Sequence, residues 1–157
     1  MDDRLDGGEL ATWSTMATVL EWLPAALDAQ LQRDSGLTHF EYGILFALAD
    51  APERTLRLSV LAGFANSSLS RLSRAVSRLE AKSLVERVTD PDDGRYTLAL
   101  LTTAGVDQFE LATPGHVRTV RRLVLDALTQ TQAKQLREIN TRMLRAIRDD
   151  DGWQSGH

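Results

Sequence analysis

The 157-residue sequence contains no cysteine, which excludes disulfides, cysteine-ligated zinc, iron–sulfur clusters and thiol-based redox sensing. It also lacks any run of about 20 apolar residues, the length that a membrane-spanning helix needs. The acidic start has no apolar segment of the kind that forms a secretory signal. We therefore expect a cytoplasmic protein with no membrane partner, and the length suits one globular domain with helical extensions.

Catalytic and metal-binding patterns are missing as well. The three histidines, His39, His116 and His157, have no second ligand at metal spacing. The sequence contains no glycine-rich phosphate loop, no nucleophile elbow and no His-Glu helical pair. We therefore expect neither an enzyme nor a bound metal or cofactor.

Positive charge is scarce overall but concentrated in one segment. The net charge is −4, and 16 of the 18 cationic residues are arginines. Residues 54–82 hold six cationic residues and one acidic residue, a net charge of +5, which leaves −9 for the rest of the chain. Because salt screens charges over about 10 Å, the local charge decides whether a polyanion binds. The segment predicts nucleic-acid binding, and the alternative is a solvated helix face.

Hydrophobic periodicity predicts two helices before this segment. Residues 9–33 have apolar side chains at helical spacing, with Pro24 expected to kink the helix and Gly36 to end it. A capping-box pattern over 38–41 predicts the start of a second helix that runs to about Asp50.

The basic segment itself predicts a helix-turn-helix. A short extended piece precedes a small helix over 60–65 with Ser59 as its cap, and Asn66 suits a left-handed turn. The next helix runs to about Lys82, and its expected buried stripe is Leu69, Leu72, Val76 and Leu79.

A hairpin and two further helices follow. Strands are expected over 84–89 and 95–101, and the side chains expected on the buried face of the second strand are Tyr96, Leu98 and Leu100. Residues 102–128 predict a helix bent at Pro114-Gly115, and a capping-box pattern over 129–132 opens the last helix.

This order of elements predicts a mainly α fold with a small β-wing, a winged helix-turn-helix with long flanking dimerisation helices. We expect an N-terminal dimerisation helix with a disordered start over 1–37 and the winged DNA-binding module over 38–101. Dimerisation helices are expected over 102–148 and a flexible tail over 149–157.

The second helix of the helix-turn-helix has the chemistry of a DNA-reading element. Arg71, Arg74 and Arg78 share one side, roughly opposite the apolar stripe. Ser68 and Ser70 lie near its N-terminus, where free backbone donors help to bind phosphate. Arginine also grips guanine edges and phosphates with two hydrogen bonds.

Short motifs along this region carry a family resemblance. They are Leu61-Ala62, Ser73-Arg74, Arg78-Leu79-Glu80, Leu84-Val85, Asp93-Gly94-Arg95 and Leu101-Thr102-Thr103-Ala104-Gly105. With them the chain resembles the MarR family of bacterial and archaeal transcription regulators. The resemblance implies a homodimer that binds a pseudo-palindromic operator on double-stranded DNA, with recognition helices in successive major grooves and wing arginines in the minor groove.

The resemblance also assigns roles to individual residues. It implies DNA contacts from the recognition helix at Ser68, Ser70, Arg71 and Arg74, and from the wing tip at Arg95. Asp93 is expected to position Arg95 and the wing. The sequence departs from the usual family pattern at Arg71, Ser77 and Ser83, where Thr, Asp and Gly are common.

The family often binds small aromatic or anionic effectors between the winged module and the dimer helices, and relief of DNA binding by such an effector is expected here. The candidate side chains for that pocket are Trp13, Trp22, His39, Phe40 and His116. The competing interpretation of these residues is ordinary aromatic packing.

Two further alternatives remain open at this stage. A winged-helix protein-interaction module without DNA binding would use the acidic surface outside the basic segment. A monomer with a private helical cap is the alternative to a dimer. A 25-residue helix is roughly 37 Å long, more than so small a module can cover, which favours burial against a second copy.

Overall fold

The computed structural model describes residues 4–149, and these form six α-helices and three short strands. The elements are α1 (Gly7–Ser35), α2 (His39–Asp50), β1 (Thr55–Arg57), α3 (Leu58–Phe64), α4 (Leu69–Ala81), β2 (Val85–Thr89), β3 (Thr97–Leu101), α5 (Thr103–Val120) and α6 (Gln130–Asp149). A 3₁₀ turn, Pro52–Arg54, precedes β1, and a π-helical segment, Arg121–Leu125, follows α5. The predicted fold class is confirmed.

The first helix is longer than predicted because a cap outside the apolar pattern starts it. The side chain of Asp6 accepts hydrogen bonds from the backbone of Gly8 and Glu9, and the Glu9 carboxylate accepts one from the backbone of Asp6. The helix runs through Pro24 and ends at Gly36, whose φ of 67° is left-handed as expected.

The capping box at the start of α2 is confirmed. The Glu41 backbone N–H donates to Thr38 Oγ1 at 3.0 Å, and the Thr38 N–H donates to Glu41 Oε2 at 3.1 Å. This helix lies at the centre of the core, where its fully enclosed apolar side chains are Ile44, Leu45 and Leu48.

The helix-turn-helix forms as predicted, with two corrections. Asn66 is left-handed at φ 44°. Ser59 is not a cap, because β1 leads directly into α3 and Arg57 occupies the N-cap position without a side-chain bond. Leu69 is 40% exposed because it opens α4 at its solvated end, and Ala75 takes its place in the buried stripe.

The sheet is antiparallel with strand order β1-β3-β2. The expected buried face of β3 is wrong by one residue. Ala99 and Leu101 are buried against the helices, whereas Leu98 and Leu100 are half-buried and Tyr96 is 39% exposed. The sheet packs on α2 through the face that carries the small Ala99, so the bulkier alternate residues lie on its more open face.

The start of α5 lies close against the end of the wing. Thr102 caps the helix by accepting from the Gly105 N–H at 2.9 Å. A Cβ on Gly105 would stand 2.1 Å from the carbonyl oxygen of Leu84, so only glycine fits this approach. The helix predicted over 102–128 runs through Pro114 and leaves the α-helical pattern at Arg121, where the Asp126 N–H bonds five residues back to the Arg121 carbonyl.

The last helix begins at the predicted capping box, since Thr129 and Gln132 bond each other's backbone N–H groups. Residues 150–157 of the expected tail, including His157, and residues 1–3 of the expected disordered start lie outside the described residues. Between residues 4 and 149, none of the helices combines the length and the hydropathy that a membrane span requires.

Candidate nucleic-acid interface

The recognition helix α4 buries one face and presents serines and arginines on the other. Leu72, Val76 and Leu79 are fully buried, whereas Arg71 and Arg74 are exposed. This division follows from the sequence, because the arginines alternate with the apolar residues at helical spacing.

Two hydroxyls lie at the N-terminus of α4. Ser68 is the N-cap, and its Oγ accepts from the Arg71 backbone N–H at 3.3 Å. The Oγ of Ser70 lies 3.3 Å from that of Ser68. Hydroxyls and unpaired backbone donors at a helix N-terminus form a surface suited to phosphate.

The two central arginines have no acidic partner among residues 4–149. The guanidinium of Arg71 stacks over the Phe40 ring, 4.5 Å from its centroid. Within the part of the chain that the structure describes, no carboxylate oxygen lies within 4.0 Å of the Arg71 or Arg74 guanidinium. Both charges are therefore available to an anionic partner.

Arg78, by contrast, forms an ion pair with a buried residue of the core. Its Nε donates to Glu41 Oε1 at 2.7 Å, and Glu41 is 2% exposed. Lys82 lies 3.7 Å from the same carboxylate and donates to the Gly36 carbonyl at 2.8 Å. The ion pair with Glu41 links α4 to α2. The Arg78 side chain is nevertheless 54% exposed, so it is also accessible to solvent.

The wing tip carries the arginine that the sequence singled out. The Arg95 side chain is 83% exposed and binds Asp93 with two hydrogen bonds, from Nε at 2.9 Å and from Nη2 at 2.7 Å. The Arg95 guanidinium lowers the pKa of Asp93, and the carboxylate in turn raises the pKa of Arg95. The pair holds one cation at the end of the hairpin.

A residue that sequence reasoning missed joins the wing to the recognition helix. Arg87 on β2 donates from Nη2 to the Ser73 carbonyl at 2.6 Å and to Ser73 Oγ at 2.9 Å, and from Nη1 to Ser77 Oγ at 3.1 Å. It also pairs with Glu80. The only available signal was a lone arginine in a predicted strand, which does not show its partner.

A second missed pair braces the base of the wing. Arg57 Nε donates to Asp90 Oδ2 at 2.7 Å, and its guanidinium lies 4.3 Å from the centre of the Tyr96 ring. A backbone hydrogen bond from Asp92, followed by Arg57, holds the pKa of Asp90 below its usual range. The wing loop is thereby fixed to β1.

An open cleft of about 770 Å³ lies between α1, α2 and the helix-turn-helix. Its lining includes the effector candidates His39 and Phe40, together with Arg71. Trp13 and Trp22 do not line it and are exposed on α1 at 52% and 74%.

His116, the remaining effector candidate, packs against α2, which forms one wall of this cleft. Its ring centroid lies 4.4 Å from that of Tyr42 and 5.7 Å from that of His39. Its Nδ1 is buried, and no described residue forms a hydrogen bond with it. Burial, with a smaller contribution from His39, lowers the pKa of His116. Over residues 4–149, no three His, Asp or Glu side chains are grouped so that they could hold a metal ion.

The fold and this surface define a winged helix-turn-helix protein with a basic recognition helix. A family model described as the MarR family matches residues 35–95. A MarR family transcriptional regulator of Streptomyces coelicolor, crystallised in complex with DNA, is 39% identical, with a TM-score of 0.91 over 94% of this chain and 93% of that one. The chain therefore belongs to the MarR family of transcriptional regulators.

Two further structures extend the comparison. AbsC, another MarR family transcriptional regulator of Streptomyces coelicolor, is 32% identical with a TM-score of 0.88, over 92% of this chain and 97% of that one. PcaV of the same organism, in complex with its natural ligand, is 23% identical with a TM-score of 0.66, over 93% and 96% of the two chains, and shows the shared fold alone. No curated protein matches the sequence significantly.

Proposed function

We propose that this protein is a transcription regulator that binds a pseudo-palindromic operator on double-stranded DNA as a homodimer. The observation that carries the proposal is the exposed face of α4, where Arg71 and Arg74 have no acidic partner among the described residues. The 39% identical relative in complex with DNA supports it. An interaction surface for an acidic protein would not need a second cation at the wing tip.

The contacts divide by position. Arg71 and Arg74 lie on the exposed side of α4, from which side chains reach base edges in a major groove. Ser68 and Ser70 bind phosphate at the helix N-terminus. Arg95, held by Asp93, meets the narrow minor groove and the phosphates beside α4.

Arg78 has a mixed role in this proposal. Its Nε is committed to Glu41, so the terminal nitrogens alone face the DNA. A guanidinium fixed in this way suits a phosphate contact that sets the position of α4, because phosphate contacts fix register without reading sequence.

Dimerisation is assigned to α1, α5 and α6, outside the winged module over 38–101. Exposed apolar side chains are numerous on these helices, and they include Leu10, Trp13, Leu20, Trp22, Leu111, Leu136, Ile139, Leu144 and Ile147. Within the described residues, α6 has no fully buried side chain. A second copy would cover such surfaces, since groups of exposed apolar side chains mark interaction sites.

The cleft beside Phe40 is the proposed effector site, with His39 and Phe40 in its wall and His116 behind them. Its size suits a small molecule, and its position between α1 and the helix-turn-helix connects a ligand to the DNA-binding elements. Trp13 and Trp22 are better explained as part of the dimer surface.

Selection of bound duplexes from a random library tests the DNA-binding proposal directly. We expect one enriched sequence with two inverted half-sites whose centres lie about one helical turn apart, because a two-fold dimer imposes that symmetry. A library without enrichment, or with a single asymmetric half-site, would contradict the proposal. Light scattering on the same protein should give twice 17.4 kDa.

A truncation after Leu128 tests the dimer assignment. It removes α6 and should leave a monomer that binds DNA much more weakly, because the two half-sites would no longer be linked. A dimer that survives this truncation would show that α1 and α5 are sufficient.

A further inference from the structure

The C-terminal end of the recognition helix is bonded to two of the helices assigned to the dimer. Lys82, the C-cap of α4, donates from Nζ to the Gly36 carbonyl at the end of α1, at 2.8 Å. The carbonyl of the next residue, Ser83, accepts from Thr102 Oγ1 at 2.8 Å, and Thr102 is the N-cap of α5. The recognition helix is therefore joined to α1 and to α5 at the same end.

The connection between α1 and the winged module leaves little freedom of movement. Residues 36–38 separate α1 from α2, and Leu37 in the middle of this connection is fully buried. The Thr38 N–H belongs to the capping box of α2. The last residue of α1, Ser35, accepts at its carbonyl from Gln108 Nε2 of α5 at 2.8 Å. The end of α1 is thus a fixed point against which Lys82 can hold α4.

A buried carboxylate keeps the ammonium of Lys82 in place. Lys82 Nζ lies 3.7 Å from Oε2 of Glu41, which is 2% exposed, and Arg78 Nε binds the other oxygen of that carboxylate at 2.7 Å. The two cationic residues differ in what else they bind, because Lys82 also reaches the Gly36 carbonyl. Lys82 therefore links the recognition helix both to the core and to the end of a dimerisation helix.

The position of α4 against α1 and α5 matters for a two-fold dimer on DNA. It sets the distance and the rotation between the two recognition helices. One added base pair moves a half-site by about 3.4 Å and turns it by about 35°. A dimer with rigidly held recognition helices rejects such a change, whereas one with loosely held helices follows it.

We propose that Lys82 is a positioning residue that makes the dimer selective for the spacing between the two half-sites. Arg71 and Arg74 read the sequence of each half-site, and Lys82 sets the distance between the two readings. Lys82 acts through the Gly36 carbonyl and does not contact DNA. This inference rests on the proposed DNA-binding function and names the residue that determines one part of its specificity.

The test compares three duplexes: the one that the wild type selects, the same duplex with one base pair inserted at its centre, and the same duplex with one removed. We expect the wild type to prefer its own spacing by at least about tenfold, because the loss of one good base contact already accounts for that factor. Lys82→Met should narrow this preference by at least about threefold, since the dimer loses one charged hydrogen bond in each protomer.

The chain offers a matched control and a conservative variant. Lys134, exposed on α6, is the other lysine of the sequence, and Lys134→Met should keep the spacing preference of the wild type. Lys82→Arg keeps a cationic donor of similar reach and should keep most of the preference. Light scattering and thermal melting confirm that each variant is compared as a folded dimer.

Two further measurements distinguish positioning from a direct DNA contact. A symmetric base change in both half-sites should weaken binding by the same factor in the wild type and in Lys82→Met, because the base-reading arginines are unchanged. The slope of log affinity against log salt should also be the same for both proteins. A lysine in contact with phosphate would instead flatten that slope by about two units for the dimer when it is removed.

The outcomes separate this inference from the proposed function. An unchanged spacing preference in Lys82→Met, an equal narrowing in Lys134→Met or a flattened salt slope in Lys82→Met would each overturn the inference. A wild type that binds all three duplexes equally would also overturn it, with DNA binding intact. A wild type that selects no duplex would overturn both the proposed function and the inference.

Discussion

The Nε of Arg78 donates a hydrogen bond of 2.7 Å to Oε1 of Glu41, although Glu41 is only 2% exposed and Arg78 is 54% exposed. The pair joins the recognition helix to the most buried helix of the core. The two charged groups differ in how well they would be solvated if the partner were removed. A half-exposed guanidinium can be solvated by water, whereas a buried carboxylate depends on its protein partners.

This asymmetry predicts unequal costs for the two single substitutions. Arg78→Met should lower the free energy of unfolding by about 2 kcal/mol, because it leaves a buried carboxylate with the more distant Lys82. Glu41→Gln should cost only about 1 kcal/mol, since the amide still accepts the bond at the start of α2. Urea denaturation at one fixed protein concentration measures both.

The exposed pair between Arg33 and Asp34 supplies the control. Their side chains are 69% and 45% exposed. Arg33→Met should change the free energy of unfolding by less than about 0.5 kcal/mol. If Glu41→Gln proved costlier than Arg78→Met, the argument from burial would be wrong.

The close approach of α5 to the wing gives a second prediction. Gly105→Ala should lower the free energy of unfolding by at least about 3 kcal/mol, because the new methyl group would stand 2.1 Å from the Leu84 carbonyl oxygen and the backbone must move. A Cβ on Gly63 in α3 would meet no described atom outside its own helix within 4 Å, so Gly63→Ala should be neutral or stabilise by up to about 1 kcal/mol. Equal effects of the two substitutions in urea denaturation would contradict the close contact.

The buried imidazole of His116 predicts a pH dependence of stability. Burial lowers the pKa of His116 in the folded protein, so the unfolded chain binds the proton more tightly. Stability should therefore fall as the pH drops from about 7 through the unfolded pKa of about 6.5 and on towards the lower folded pKa. Protonation would also leave a buried Nδ1–H donor without an acceptor.

Thermal melting between pH 5 and pH 8 checks this prediction with His116→Gln as the comparison. The variant should lose part of the decline in melting temperature at acidic pH, because its amide does not titrate in that range. Superimposable profiles for the two proteins would show that another group is responsible.

The sequence predicted the parts of this fold that local chemistry determines. Helix caps depend on residues three positions apart, which is why the boxes at Thr38 and Thr129 were identified. The left-handed residues Gly36 and Asn66 were also identified from their residue types, since glycine lacks a Cβ and asparagine tolerates a positive φ. The basic segment and the length of the flanking helices predicted a nucleic-acid partner and a dimer, and the family resemblance then specified double-stranded DNA and a homodimer.

The features that were missed depend on packing between distant elements. The prediction of the buried face of β3 was wrong because the strand has apolar residues on both faces. Packing of the sheet on α2 decides that Ala99 points inward. The hydrogen bonds from Arg87 to Ser73 could be predicted only if the register of the wing against α4 were known. The ion pair between Arg78 and Glu41 joins residues that are 37 positions apart, and no local sequence pattern indicates it.

The final prediction separates the helix from the wing in DNA recognition. Arg74→Ala should weaken binding to the selected operator by about 1–3 kcal/mol and have little effect on scrambled duplex, because a side chain on the exposed face of α4 reads base edges. Arg95→Ala should weaken both duplexes by similar factors. It should also flatten the slope of log affinity against log salt by about two units for the dimer, one for each lost phosphate contact.

Both side chains are exposed in the structure, so neither substitution should lower the melting temperature, which serves as the control for folding. Asp93→Asn tests the positioning role separately, since it keeps the Arg95 charge but weakens the two bonds that hold it. It should reduce operator affinity less than Arg95→Ala does and leave the salt slope almost unchanged, because the number of phosphate contacts stays the same.

If Arg74→Ala affected both duplexes equally while Arg95→Ala affected the operator alone, the helix would contact the backbone and the wing would read the bases. If neither substitution changed binding to either duplex, α4 would not be a DNA-reading helix, and its basic face would have to serve a protein partner.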